Sequence, residues 1–202
     1  MKELFFDKLL GIKTRGDQMG FNQSHHYHRY EPTPYAALQY LFDHYELKSS
    51  DRIIDFGCGK GRLNFFIHYL FNATVVGIEM NEIFYQEALK NLYQYVKKTK
   101  KSNGNIHFYC CLAEEYQILP LDNRFYFFNP FSVQIFIRVI NNILLSAEQS
   151  ERDIELILYY VAADYIHYLE NHPAFELKQE IKLPGQYEHN PNERFLIYRL
   201  IR

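Results

Sequence analysis

Three glycines at alternate positions, Gly57, Gly59 and Gly61, follow an acid, Asp55, near the end of the short apolar run Arg52-Ile-Ile-Asp55-Phe56. Glycine lets a backbone turn sharply and approach a ligand with no side chain in the way. A second acid, Glu79, ends the next apolar run, residues 73–79, and lies 24 residues beyond Asp55. An acid at that distance suits the two ribose hydroxyls of an adenosine. Asp55 narrows the choice of ligand, because a dinucleotide would bring its pyrophosphate there and a carboxylate repels it. The spacing also fails for that use, since G-x-G-x-x-G needs glycine where this chain has Arg62. A ligand carrying positive charge fits the acidic strand end instead. The other chemical run is Asn129-Pro130-Phe131. An asparagine oxygen accepts a hydrogen bond from an NH2 and leaves the nitrogen lone pair aimed elsewhere, while proline removes a competing N–H. Residues 125–132 hold neither an acid nor a histidine, which disfavours an oxygen acceptor that needs a base.

The stretch DFGCGKGR, residues 55–62, resembles the first motif of the class I (Rossmann-like) S-adenosylmethionine-dependent methyltransferases, an acid followed by x-G-x-G-x-G. The order of elements over residues 50–202 is similar to the same family. The resemblance implies a doubly wound, seven-stranded, mostly parallel α/β sheet with a closing antiparallel strand pair. It implies S-adenosylmethionine as cofactor and S-adenosylhomocysteine as product. Asp55, Gly57, Cys58, Gly59, Gly61 and Arg62 would then hold the methionine part, Glu79 the ribose and Met80 the adenine face. Relatives continue after the third strand with a run such as G-D-A, whose acid meets the adenine amino group. Here the letters are Cys111-Leu112-Ala113, so Ala113 with Glu114, or the backbone, takes that place. Asn129-Pro130-Phe131 resembles the [D/N]-P-P-[Y/F/W] run of amino-methyltransferases acting on adenine or glutamine, and the N-N-F of non-SET histone lysine methyltransferases. It implies an acceptor site at Asn129, Pro130 and Phe131, with Asn129 also beside the cofactor. In many members an arm ahead of the first strand lies over the cofactor, which makes Tyr30 and Tyr35 lid residues here.

These residues need elements to hold them. Leu63, Phe66, Ile67 and Leu70 recur at helical spacing after the glycines, so strand, turn and helix follow directly. Asn81 caps a helix from Glu82 to about Lys100, and the run 101–105 stops it. Strands are expected at 106–111, 124–128 and 154–161, with a closing pair at 175–183 and 194–200. Helices fall between them, from Ser132 to Ser146 with Val133, Phe136, Ile137, Ile140 and Leu144 on one face, and from Asp164 to Asn171. Ahead of the first strand, Thr33 as N-cap and Pro34 in the first turn start a helix that runs to Tyr45. Residues 5–12, FFDKLLGI, allow a strand, a helical turn or a surface clasp. The expected division is an arm and helix over 1–50, acting as a lid, and a cofactor-binding domain over 51–202.

The whole chain has 202 residues, a formal net charge of −2, and 18 Tyr and 17 Phe with no Trp. Such a balance gives no field for extended nucleic acid. The run Lys97, Lys98, Lys100 and Lys101 ends a helix and complements its dipole. Cys58, Cys110 and Cys111 lack metal-ligand spacing, which fits a reducing, cytoplasmic setting without disulfides. His25, His26 and His28 sit within four residues, but with no second ligand cluster they read as a solvated loop, and no metal is expected. No signal peptide or membrane-spanning run is visible. Protein side chain, nucleobase and small molecule all remain as methyl acceptors, and no oligomeric state is indicated. Two other functions stay open: an S-adenosylmethionine-binding protein without catalysis, and an NAD-dependent oxidoreductase, which Glu79 permits and Asp55 opposes.

Overall fold

Strand side chains alternate between two cores, as a sheet covered by helices on both faces requires. Ile53, Val75, Tyr126 and Ile157 face one core, and Ile54, Val76, Phe125 and Leu156 face the other. A computed structural model describes residues 2–16, 30–102 and 104–201. In chain order these are α1 (Lys2–Leu10), α2 (Tyr35–His44), β1 (Arg52–Phe56), α3 (Arg62–Phe71), β2 (Thr74–Glu79), α4 (Glu82–Thr99) and β3 (Ile106–Cys110). A 3-10 turn (Ala113–Glu115) follows, then β4 (Arg124–Phe127), α5 (Val133–Gln149), β5 (Glu155–Tyr159), α6 (Ala163–Glu170), β6 (Phe175–Lys182) and β7 (Arg194–Leu200).

The seven strands lie in the order β3-β2-β1-β4-β5-β7-β6. β1 to β5 pair in parallel, and β7 runs antiparallel to both β5 and β6. Strand order reverses between β1 and β4, where Asp55 lies beside Tyr126 and Phe56 beside Phe127. Ligands bind at such a reversal, beyond the carboxyl ends of the strands. The expected doubly wound α/β sheet is therefore present, with its switch point at the glycine turn.

Several local expectations change. Thr33 does not cap α2: Pro34 is the N-cap residue, with no side-chain cap bond, and the Thr33 hydroxyl pairs with that of Tyr126 at 2.8 Å. Residues 5–12 are helical up to Leu10, and Leu10 and Ile12 enter the core beside Phe66. Asp7 anchors this piece by accepting from the Thr14 amide at 3.1 Å, the Thr14 hydroxyl at 2.9 Å and the Tyr35 hydroxyl at 2.8 Å. In α5 the buried face is Ile135, Phe136, Val139, Ile140 and Ile143 rather than one centred on Val133 and Ile137. In α3, Leu70 points outward, while Asn64, Phe65 and His68 are buried. Asn81 caps α4 as expected, its side chain accepting from Ile83 and Phe84.

Candidate active site

β1 delivers Asp55 and β2 delivers Glu79 to the same face of the sheet, since Ile53, Asp55, Val75 and Glu79 share strand parity. The glycine turn between β1 and α3 is tied to the end of β2. Gly57 and Cys58 both donate to the Ile78 carbonyl, at 2.9 and 3.1 Å. Gly59 donates to Glu79 Oε2 at 2.8 Å, and the Asn81 amide donates to Oε1 at 2.8 Å. Glu79 is thus a clamp on the turn as well as a candidate ribose acceptor. Sequence reasoning missed the clamp, because nothing local to Glu79 announces it.

Two glycines are required by geometry. Gly57 has φ +79°, and a Cβ there would sit 2.7 Å from the Pro130 Cβ. Gly59 has φ +54°, and a Cβ there would sit 2.0 Å from Cε2 of Tyr30. A side chain would be strained at either position and would collide. The first contact brings Asn129-Pro130 from the end of β4 directly against the glycine turn. The second shows Tyr30 lying across that turn, with its ring 4.8 Å from Phe84 and its hydroxyl donating to the Thr14 carbonyl at 2.8 Å. Thr33 then reaches Tyr126 on β4, the residue opposite Asp55 in the sheet, so residues 30–33 run from the glycine turn to β4. Tyr27, His25, His26 and His28 lie outside the described residues.

Both acids are buried, and burial pushes both carboxyls above the usual carboxylate range. For Asp55 the Glu79 charge adds to the effect; for Glu79 the amides of Asn81 and Gly59 oppose it. Two desolvated acids side by side are costly to ionise until a cation joins them. The glycine cradle and this pair together fit an adenosine ligand that carries an ammonium and a sulfonium. Asp55 tests this through its proton. Its folded-state pKa lies above the unfolded one, so stability falls as pH rises from the ordinary carboxylate range through the raised value. A cation seated beside it draws the pKa down, and binding then releases protons within that interval. Calorimetry of S-adenosylhomocysteine at about pH 5–6, in two buffers of different ionisation enthalpy, should show net proton release that Asp55→Asn abolishes. Heats independent of buffer would count against the assignment.

The other expected site residues differ in burial and partners. Arg62 is 4% exposed. It donates to Thr14 Oγ1 at 2.8 Å and to the Thr33 carbonyl at 3.2 Å, pairs with Glu3, and stacks 4.5 Å from the Tyr35 ring centre. It joins α1, the arm and α2 to α3. Tyr35 is fully buried, with its ring 5.4 Å from Phe66, and belongs to the core rather than to a lid. Phe131 is also buried, edge-on to Phe127, and its carbonyl accepts from the Tyr165 hydroxyl at 2.6 Å. Its side chain lies in the core that α5 and α6 cover. Cys58 and Ala113 are buried, and Met80 is 41% exposed at the end of β2. Glu114 faces Arg138 of α5 across 3.6 Å, which turns its carboxylate toward that helix. Among the described residues no three His, Cys, Asp or Glu come together as a metal site. Among the described residues, too, no helix is long and apolar enough to cross a membrane.

Sequence reasoning also missed the rings at the ends of β4 and β5. Phe128, Tyr159 and Tyr160 meet there, and in the sequence they are indistinguishable from the general aromatic surplus. Asn129, two residues past β4, and Tyr160, directly past β5, both take left-handed backbone conformations, φ 40° and 52°. For a tyrosine this is an uncommon and strained choice, of the kind that gathers at functional sites.

Residues 47–151 match a family model described as a methyltransferase domain. Among solved structures, the human methyltransferase 10 domain containing protein is similar with TM-score 0.61 and 13% identity over 98% of this chain and 92% of that one. An RNA methyltransferase from Salinibacter ruber, in complex with S-adenosyl-L-homocysteine, gives TM-score 0.56 and 16% identity, covering 84% of this chain and 92% of that one. A methyltransferase from Thiobacillus denitrificans, also holding S-adenosyl-L-homocysteine, gives 0.55 and 13%, with 84% and 92% covered. No curated protein matches the sequence.

Proposed function

The chain belongs to the methyltransferase-domain family, its cofactor is S-adenosylmethionine, and we propose that it transfers the methyl group to a nitrogen acceptor held at Asn129. The observation that carries the proposal is the contact of Pro130 with Gly57, which sets Asn129 beside the glycine turn. Asp55 and Glu79 hold the positively charged and ribose parts of the cofactor, on the inner side of Gly57, Cys58, Gly59 and Gly61. Met80, exposed at the end of β2, is placed for the adenine face.

S-adenosylmethionine supplies a sulfonium methyl: the acceptor lone pair forms the new N–C bond, the C–S pair stays on sulfur as a neutral thioether, and nitrogen gives up a proton to water. The chain's own work is positioning and exclusion of water, each able to lower a displacement barrier without a metal or covalent intermediate. Asn129 accepts an acceptor N–H and so fixes the direction of the lone pair. Pro130 contributes no competing N–H and braces the turn. Tyr30 and Thr33 serve as the cover within the arm and helix of 1–50, which pack on the cofactor-binding domain of 51–202. Methyl-labelled S-adenosylmethionine incubated with a fractionated cell extract should mark a product whose label resides on nitrogen. A label on oxygen or carbon would refute the nitrogen assignment and leave the family intact.

A further inference from the structure

α5 and α6 leave a groove between them. They follow the parallel neighbours β4 and β5, so both begin at the carboxyl edge of the sheet. Their seam is Phe136 stacked on Tyr165 at 3.8 Å, with Tyr168 edge-on to Phe136 at 6.2 Å. Outside that seam lies a cavity of about 400 Å³, lined by Val133 and Ile137 of α5, Asp164, His167 and Tyr168 of α6, and His172 just past it. Its volume is that of a small ligand pocket. Val133 and Ile137 stand one turn apart and are only half-buried, because the core takes the neighbouring face of α5. Asp164, exposed in the first turn of α6, pairs with no other described residue. The lining holds this one carboxylate and neither lysine nor arginine, a balance that favours a cation and repels a phosphate backbone.

The groove also begins close to the acceptor run. Val133 comes four residues after Asn129, a span of at most about 14 Å. The Tyr165 hydroxyl donates to the Phe131 carbonyl at 2.6 Å and ties the first turn of α6 to the same run. Resting on the methyltransferase reading above, we propose that the acceptor is a protein segment whose apolar side chain seats between Val133, Ile137 and Tyr168, with a basic neighbour at Asp164. The methylated nitrogen then belongs to a side chain of that segment, since about four extended residues cover the distance from the groove to Asn129. Burial of the apolar side chain contributes most of the affinity, and the exposed ion pair with Asp164 contributes less.

The test uses the full chain saturated with S-adenosylhomocysteine, and acetyl-Phe-Arg-amide as probe. The imidazole C–H signals of His167 and His172, assigned through His167→Gln and His172→Gln, should shift as the probe is added. Acetyl-Gly-Arg-amide, which lacks the apolar side chain, should bind at least about tenfold more weakly. Ile137→Glu should weaken the probe by a similar factor with S-adenosylhomocysteine affinity unchanged, and Ile137→Ala gives the same direction if the charged variant does not fold. Asp164→Asn should cost only about threefold. Binding of acetyl-Phe-Glu-amide as tight as that of the probe, or shifts confined to other histidines, would overturn the proposal while the cofactor site stands. With methyl-labelled S-adenosylmethionine and a cell extract, label should enter the protein fraction, and Ile137→Glu should slow this about tenfold at limiting extract protein. Label confined to nucleic acid or small molecules would overturn the protein acceptor and leave the methyltransferase reading intact. Failure of S-adenosylhomocysteine itself to bind would overturn the cofactor assignment and this proposal with it.

Discussion

Glu79→Ala is expected to lose S-adenosylhomocysteine affinity by about a hundredfold or more, measured by titration calorimetry. Two effects add. The ribose hydroxyls lose a charged acceptor, and hydrogen bonds to charged groups contribute about 1.5–3 kcal/mol each. The Gly59 and Asn81 amides also lose the carboxylate that now takes them at 2.8 Å each, so the glycine turn is no longer fixed to β2. Glu79→Gln separates the two. Its amide oxygen can still accept one bond while the negative charge is gone, so it should fall between wild type and Glu79→Ala. Wild-type affinity in Glu79→Ala would refute the ribose assignment.

Asn129→Ala should cut turnover by orders of magnitude and leave cofactor affinity close to wild type. The side chain acts on the acceptor, whereas the cofactor is held by β1, β2 and the turn between them. Loss of an orienting hydrogen bond misaligns an in-line displacement, and small displacements at a reacting centre carry large rate penalties. The left-handed backbone at Asn129 favours asparagine over alanine, so part of the loss can come from a shifted Pro130. Asn129→Gly tolerates the same φ without the amide, and keeps the test sharp: it too should be nearly inactive. Turnover within about threefold of wild type in Asn129→Gly would remove Asn129 from acceptor binding, since misorientation by even small distances costs far more.

What could be read from the sequence was local. The strand, glycine turn and helix at 52–71 carry their own periodicity, and each acid ends an apolar run, so Asp55 and Glu79 were visible with their charges. The closing strand pair was legible for the same reason. The rest depends on residues distant in sequence. Arg62 follows the last glycine of the motif, but its partners are Glu3, Thr14 and Thr33, which only the fold brings together. The helix α1 was unreadable because its inner face mixes a buried carboxylate, Asp7, held by Thr14 and Tyr35, with Phe6 and Leu10, so no clean apolar stripe marks it. Phe131 looked like part of an acceptor site because it follows Asn-Pro; its ring packs inward against Phe127, a residue the local sequence does not link to it. In α5, apolar residues are dense enough that two adjacent faces share Phe136 and Ile140, and the fold buries the one that adds Ile135, Val139 and Ile143.

The most direct measurement is calorimetric titration of the unmodified chain with S-adenosylhomocysteine and, separately, with NAD. Saturable one-to-one binding of S-adenosylhomocysteine, with no heat from NAD, is the predicted result, because Asp55 accepts an ammonium where a pyrophosphate would be repelled. Binding of NAD without S-adenosylhomocysteine would contradict the account at its centre.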